Sequence, residues 1–259
     1  MLRFKKVNII FFLLFLPIFG LIRQECHFSV WWIMLLLIIW LILVTIGSFH
    51  IRWNYFLKAF HKNDQIGESV IALTFDDGPN KEFTPKVLSL LKNHHAKATF
   101  FCIGENVEQH PEILKEIIKD GHLIGNHSYY HKNSFGFLST SQVVEELENT
   151  QKIIEEKVNL KTSFFRPPFG ITNPNIAKAV KKLNLYTFGW SIRSLDTIAK
   201  DPEKVYNKIV SKIKKGDVVL IHDSSDLSVV VLEKLLLYLD RNNIETITLD
   251  KLFNLKAYE

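Results

Sequence analysis

Two aspartates in succession, Asp76 and Asp77, close an apolar string and run into Gly78-Pro79. Neighbouring carboxylates repel each other unless a cation or an arginine compensates one of them, so the pair asks for a positive partner. A turn role for Asp77-Gly78-Pro79 is the plainer alternative. Downstream, His127 and His131 stand at i and i+4, close enough to reach a single ion. Asp77 would add the hard oxygen that completes a set of three ligands and leaves a fourth position open for water, which is how catalytic zinc is held. The same donors also suit cobalt, nickel or manganese. Cys102, by contrast, lies in Phe100-Phe101-Cys102-Ile103 with nothing beside it to lower its pKa, and reads as a small core residue.

Three further polar clusters interrupt the apolar pattern: Arg166 before Pro167-Pro168, Asp196 beyond Trp190, and His222-Asp223. What unites all of these is position. Short apolar or β-branched strings predict strands at Val70 to Phe75, Ala98 to Ile103, Leu123 to Gly125, Ser163 to Phe165, Leu185 to Trp190, Val218 to Ile221 and Glu245 to Leu249. Each cluster follows the carboxyl end of one such strand, and in βα folds that face is where side chains from different strands converge.

Amphipathic stretches separate the strands, which argues for a parallel sheet wrapped by helices. Thr84-Pro85, Asn173-Pro174 and Asp201-Pro202 each put a capping side chain ahead of a first-turn proline. Gly121 and Gly216 sit where a left-handed terminal residue is wanted. Ser141 to Val158 carries one apolar face, with Val143, Val144, Leu147, Ile153 and Ile154. The whole alternating region, about seven strand-plus-helix units in roughly 190 residues, is too short for the ~250 residues of a full eight-fold barrel. A small or incomplete β/α barrel is expected, with an open doubly wound sheet as the alternative.

Thr74-Phe75-Asp76-Asp77-Gly78-Pro79, His127-Ser128-x-x-His131, Arg166-Pro167-Pro168-Phe169-Gly170 and Leu220-Ile221-His222 occur in that order. Together they resemble the motifs of the polysaccharide deacetylase family, carbohydrate esterase family 4, the NodB homology domain. The likeness covers roughly Ile71 to Leu252. It implies a distorted (β/α)7 barrel that removes N-acetyl groups from amino sugars of a polysaccharide or a lipid-linked saccharide. It also implies a divalent metal, usually zinc, on the residues matching Asp77, His127 and His131. Asp76 matches the family's general base, His222 its general acid and Arg166 the residue that orients the base. Leu220 matches part of the wall around the acetyl methyl, and Phe169 a backbone donor to the oxyanion. Asp196 is expected to pair with His222 and favour its charged form. The family's fourth motif has Asp followed by Trp, whereas Asp196 is followed by Thr197. Trp190 is the candidate to fill that space, and the acyl group removed is left open.

Outside the likeness, two runs without charged side chains cover residues 7–22 and 28–49. A membrane span needs roughly 20 apolar residues, so the second run qualifies and the first is at the short limit. The first run also resembles a signal peptide behind Arg3, Lys5 and Lys6, although no small-residue cleavage site follows Gly20. Residues 1–62 are therefore expected to form a membrane region, a pair of hydrophobic transmembrane helices ending in a basic juxtamembrane segment, and residues 68–259 the catalytic domain. With Arg52, Lys58 and Lys62 after the second run, the positive-inside rule puts the domain in the cytoplasm if both runs span; the resemblance implies the outside.

The net charge of +5 is carried by membrane-flanking residues and solvated faces such as Lys178, Lys181 and Lys182, so no nucleic-acid partner is expected, and no protein partner either. Two cysteines, Cys26 and Cys102, make no disulfide framework. His122 reads as a structural strand residue, His94 and His95 as the end of a solvated helix, and Asp223 as a turn residue. A different metal-dependent amidase or deformylase is one competing function. A saccharide-binding module without turnover is the other, supported only by the missing tryptophan.

Overall fold

The computed structural model describes residues 3–23 and 30–259. Among the described residues, nine strands form one sheet: β1 Ala59–Phe60, β2 Val70–Asp76, β3 Ala98–Cys102, β4 Leu123–Asn126, β5 Phe164–Phe165, β6 Tyr186–Phe188, β7 Ile192–Arg193, β8 Val218–His222 and β9 Glu245–Thr246. Their order is β1-β6-β5-β4-β3-β2-β8-β7, with β9 also on β2, and every named pair is parallel. The sheet curls into a distorted (β/α)7 barrel. Val70, Ala72, Phe101, Phe164, Phe188 and Val218, from five different strands, pack into one cluster with Leu249 and Leu252, which an open sheet would not allow. Each fully buried valine, leucine or phenylalanine among them is worth roughly 1.5–3 kcal/mol.

Alternation along each strand sorts its side chains. Ile71, Leu73 and Phe75 face the surrounding helices, whereas Val70 and Ala72 face the interior. By the same period Thr74 and Asp76 also face inward, higher up. β8 repeats this, with Val219 and Ile221 outward and Val218, Leu220 and His222 inward. The barrel is therefore apolar at its base and polar at its carboxyl-end mouth.

Around it lie α3 Thr84–Asn93, α4 Gly104–Gln109, α5 Pro111–Lys119, α6 Thr140–Val158, α7 Pro174–Lys182, α8 Pro202–Val210 and α9 Asp226–Arg241, with α10 Leu249–Phe253 beneath the interior; two long helices, α1 Phe4–Arg23 and α2 Trp31–Phe49, called αA and αB from here on, precede them. Asn173 and Asp201 cap α7 and α8, accepting from Ile176 N at 2.9 Å and Glu203 N at 2.9 Å. Gly121 and Gly216 are left-handed, with φ of 77° and 78°. The Thr84 cap is corrected: α3 begins at Thr84 itself, whose hydroxyl is drawn to the buried carboxylate of Asp223. The last predicted strand shortens too, because Leu249 starts α10.

Two strands, β1 and β7, come from stretches the sequence patterning passes over. β1 lies within the segment expected to join membrane to domain, and it pairs Ala59 with Thr187 and Phe60 with Phe188. β7 pairs with β8 at the other edge of the sheet. Gly189 to Ser191 bridges the two edges: Gly189 N donates to Phe60 O at 2.8 Å and Ser191 N to Val218 O at 3.0 Å.

αA and αB are each long and apolar enough to cross a membrane. The start of αA and the end of αB meet the domain together: Phe4 N donates to Tyr55 O at 3.0 Å, and Thr172 N donates to Ser48 O at 3.0 Å. Cys26 and the first residues of the second apolar run lie outside the described residues.

Candidate active site

Two consecutive residues of a strand point to opposite faces, so both members of an aspartate pair reach one cleft only if the chain twists between them. Asp77 does this with φ of 75°, in the left-handed region that a non-glycine residue adopts reluctantly. Ser128, His131, Phe169 and Leu195 are also left-handed, with φ of 63°, 51°, 59° and 64°. Strain is thus gathered on the loops at the mouth of the barrel, where neighbouring hydrogen bonds hold it in place.

Asp77 Oδ1 lies 3.5 Å from Nε2 of His127 and 3.5 Å from Nε2 of His131. The oxygen is buried and has no hydrogen-bond partner. His127 commits its other nitrogen, Nδ1, to the carbonyl of Arg166 at 2.7 Å, so Nδ1 carries the proton and the Nε2 lone pair faces Asp77. Burial and the neighbouring His127 lower the pKa of His131 to about 4, which keeps its ring neutral. Burial opposes ionisation of Asp77, but His127, His131 and His222 outweigh it and hold the carboxyl well below the usual range. These donors fit a divalent cation. Ligands held tetrahedrally at ~2.0–2.1 Å from zinc are about 3.3 Å apart, close to the 3.5 Å from Asp77 Oδ1 to each imidazole, and all three donor atoms lie within 4.8 Å of one another.

Asp76 is buried, with Oδ2 3.8 Å from His127 Nε2. Its other oxygen accepts from Arg166 Nη1 at 2.7 Å. Arg166 is fully buried. Nη1 also donates to Thr74 Oγ1 at 2.9 Å, Nη2 donates to Gly189 O at 2.8 Å, and the guanidinium sits 4.2 Å above the Phe101 ring. The arginine therefore plugs the barrel between its apolar base and the aspartates, fixing Asp76 and tying the bridging segment to β5.

On the neighbouring strand β8, His222 Nδ1 donates to Asp196 Oδ1 at 2.8 Å, which turns Nε2 toward Asp77 Oδ2, 3.9 Å away. Asp196 also accepts from His222 N, Ser194 Oγ and Ser228 Oγ at 2.9, 2.6 and 2.7 Å. Burial works against the charged imidazole, but the Asp196 bond and charge, with Asp76 and Asp77, raise its pKa to about 9. Leu220 is buried one inward position below His222. The Phe169 ring packs 4.7 Å from that of His131. Trp190 is half-buried against Gly170, 5.8 Å from the Arg166 guanidinium, while Thr197 is exposed.

All ten residues singled out from the sequence thus surround one mouth. Asp223 adds an eleventh. It is fully buried, Oδ1 lacks a partner, and its carboxylate presses on Gly78, where an added Cβ would come within 2.4 Å of Oδ2. Burial, with the like charge of Asp77, raises it to about 7 against the pull of Thr84. Only its place beside His222 hinted at this role in the sequence. His122 is buried with its pKa lowered to about 4 by burial and Lys97, accepting from Ala98 N at 3.2 Å, as a structural residue does. Cys102 is buried and free.

Comparison with known proteins decides what this geometry belongs to. A peptidoglycan-N-acetylglucosamine deacetylase of Bacillus cereus is 35% identical over 198 residues, covering 73% of this chain and 90% of the relative. The chain belongs to the polysaccharide deacetylase family. The family model for polysaccharide deacetylase matches residues 63–188. A second Bacillus cereus protein of the same name is 35% identical over 187 residues, 71% of this chain and 68% of that relative. A crystal structure of the Bc1960 peptidoglycan N-acetylglucosamine deacetylase superposes with a TM-score of 0.72 at 32% identity, covering 78% of this chain and 94% of the other. The deacetylase is accordingly a carbohydrate-directed hydrolase of a non-peptide carbon–nitrogen bond.

Proposed function

We propose that this deacetylase removes the N-acetyl group from amino sugars of a polysaccharide or lipid-linked saccharide, using a divalent metal, most simply zinc, held by Asp77, His127 and His131. The observation that carries the reading is the buried, unpartnered Oδ1 of Asp77 equidistant from two imidazole nitrogens. When bound, such an ion supplies positive charge that acidifies water and polarises a carbonyl.

The chain's own residues do the rest. Asp76, held by Arg166 through one oxygen, turns the other toward the ligand cluster and takes the proton of the attacking water. Arg166 keeps that carboxylate from rotating away. His222, held charged by Asp196, gives its Nε2 proton to the departing amine, whose poor leaving ability is half of what makes an amide inert. Phe169 contributes a backbone N–H to the oxyanion, Leu220 lies under the acetyl methyl, and Trp190 fills part of the acyl-pocket space left by the missing tryptophan.

αA and αB are read as membrane spans, with Arg3, Lys5 and Lys6 on the side of the catalytic domain; the positive-inside rule favours the cytoplasm for that side if both helices span, whereas the family resemblance favours the outside. Purified protein loaded with zinc is expected to release acetate from N-acetylglucosamine oligomers and to stop on chelation. Formate release, or binding without turnover, would replace this reading with a deformylase or a binding module. A C-terminal reporter active only outside the cytoplasm should stay silent; a strong signal would overturn the orientation.

A further inference from the structure

The membrane helices and the catalytic mouth share one edge. The last turn of αB accepts from Thr172 N through Ser48 O at 3.0 Å, three residues past Phe169. Just beyond αB, Ile51 packs on Gly189, and Arg52 Nη1 donates to Ser191 O at 3.3 Å. Asn173 next to Thr172 donates through Nδ2 to Gly136 O at 2.7 Å, which draws the loop after β4 to the same edge. The end of αB is therefore bonded to the arc of loops running from β4 through β5 and β6 to β7.

That arc is also where apolar side chains stand in the open. Among the described residues after αB, the two most exposed large hydrophobics are Phe137, 92% exposed, and Ile198, 75% exposed. Phe137 is on the loop after β4, beside Gly136, and Ile198 is on the loop after β7, two residues past Asp196. Between them, on the loop after β5, Phe169 is 41% exposed. One exposed apolar residue is ordinary on a soluble surface. Several on one rim, continuous with two exposed apolar helices, form a single surface suited to lipid. Trp53 and Arg52 follow αB directly, an aromatic and a cation at the depth where both partition to the bilayer interface.

We propose that Phe137 and Ile198 seat the mouth of the barrel on the bilayer that holds αA and αB, and that the substrate is the amino sugar of a lipid-linked saccharide presented at headgroup depth. This rests on the deacetylase and spanning readings above, and narrows the substrate to a membrane-borne one. A polymer remote from the bilayer would gain nothing from a rim turned into lipid.

The test uses the full zinc-loaded chain in phosphatidylethanolamine/phosphatidylglycerol vesicles, with two substrates: a polyprenyl-diphosphate-linked N-acetylglucosamine in the same bilayer, and a soluble N-acetylglucosamine pentamer. The double variant Phe137→Ser, Ile198→Ser is expected to lose about tenfold or more in acetate release from the lipid-linked sugar while leaving the soluble one unchanged. Equal effects on both substrates, or none on either, would overturn the proposal, as would a wild-type chain that works on the pentamer but not on the lipid-linked sugar. A wild-type chain inactive on both would instead sink the deacetylase reading beneath it. An independent measure needs no turnover. A polarity-sensitive fluorophore on Ile198→Cys, with Cys26 replaced by Ser and Cys102 buried, is expected to shift to the blue and be quenched by headgroup-level spin-labelled lipid. An emission unchanged between detergent-free vesicles and aqueous peptide conjugate would overturn the seating.

Discussion

Asp76 and His222 are register partners on adjacent parallel strands, so the proposed base and acid stand side by side on the inner wall of the barrel. Each is steered by a different anchor, Asp76 by Arg166 and His222 by Asp196. Asp77, one residue on, lies between them only because its backbone turns left-handed. The two proton-transfer groups thus adjoin the ligand set but hang on anchors of their own, and their roles are separable by substitution.

Asp76→Asn is expected to lower turnover by about 10²–10⁴-fold, the usual worth of a positioned base, while zinc stoichiometry stays at that of the wild type. His127→Ala is expected to lose the metal along with activity. Acetate release and metal content measured on the same preparations check this. Metal lost equally from both variants would contradict the division of labour.

A second expectation concerns pH. His222 has its folded pKa raised from 6.5 to about 9, so it is charged at neutral pH and the rate should fall as pH climbs through about 9. Asp196→Asn keeps a hydrogen-bond acceptor but removes the charge, and should move that alkaline limb about one pH unit or more downward. The sign for stability follows from the same raised value. Stability from the His222–Asp196 pair is complete below pH 6.5 and lost as pH rises through about 9, so the Tm of metal-free wild-type protein should decline across that window more than that of Asp196→Asn. A limb that ignores the substitution would remove His222 from the acid role.

Asp223 gives the opposite sign. Burial raises its folded value to about 7 from 3.8, so the folded state holds a proton that the unfolded chain releases, and the resulting penalty grows as pH rises from about 4 to about 7. Asp223→Asn should therefore leave metal-free protein near its wild-type Tm at pH 4 and raise it at pH 8. A Tm difference of the same size at both values would show that the fold does not raise this carboxyl above its ordinary value. Gly78→Ala probes the same contact from the other side. Its Cβ would come within 2.4 Å of Asp223 Oδ2, and because Thr84 pins that carboxylate, the Asp77 loop must shift and zinc affinity should drop.

How much of this was readable in the sequence follows from what each feature depends on. β2, β3, β4 and β8 carry apolar or β-branched strings and lie close to their expected bounds. β1 and β7 are two residues long, too short for any alternation, and exist because the barrel needs edges on either side of Gly189 to Ser191. The cluster residues were legible because rare polar types followed strand after strand. The left-handed turns at Asp77, Ser128 and His131 were not, since none is a glycine and only surrounding hydrogen bonds hold them. Thr84 reads as a cap and Asp223 as a turn residue, because nothing in the local sequence reports that the two meet across the barrel wall.

Arg166 offers the sharpest test of how the site is braced. It is a wholly buried cation whose charge is opposed by burial and upheld by Asp76. Arg166→Met fills much of the same volume but leaves the buried Asp76 without its arginine partner, and breaking a buried ion pair from one side costs about 3–5 kcal/mol. The variant should thus lose stability on that scale in denaturant titration, together with most activity. Adding Asp76→Asn to it removes the stranded charge, and the double variant is expected to recover a substantial part of the stability while staying inactive. Strict additivity of the two changes would mean that the 2.7 Å contact contributes no coupling, and that Arg166 braces Thr74 and the Gly189 carbonyl alone.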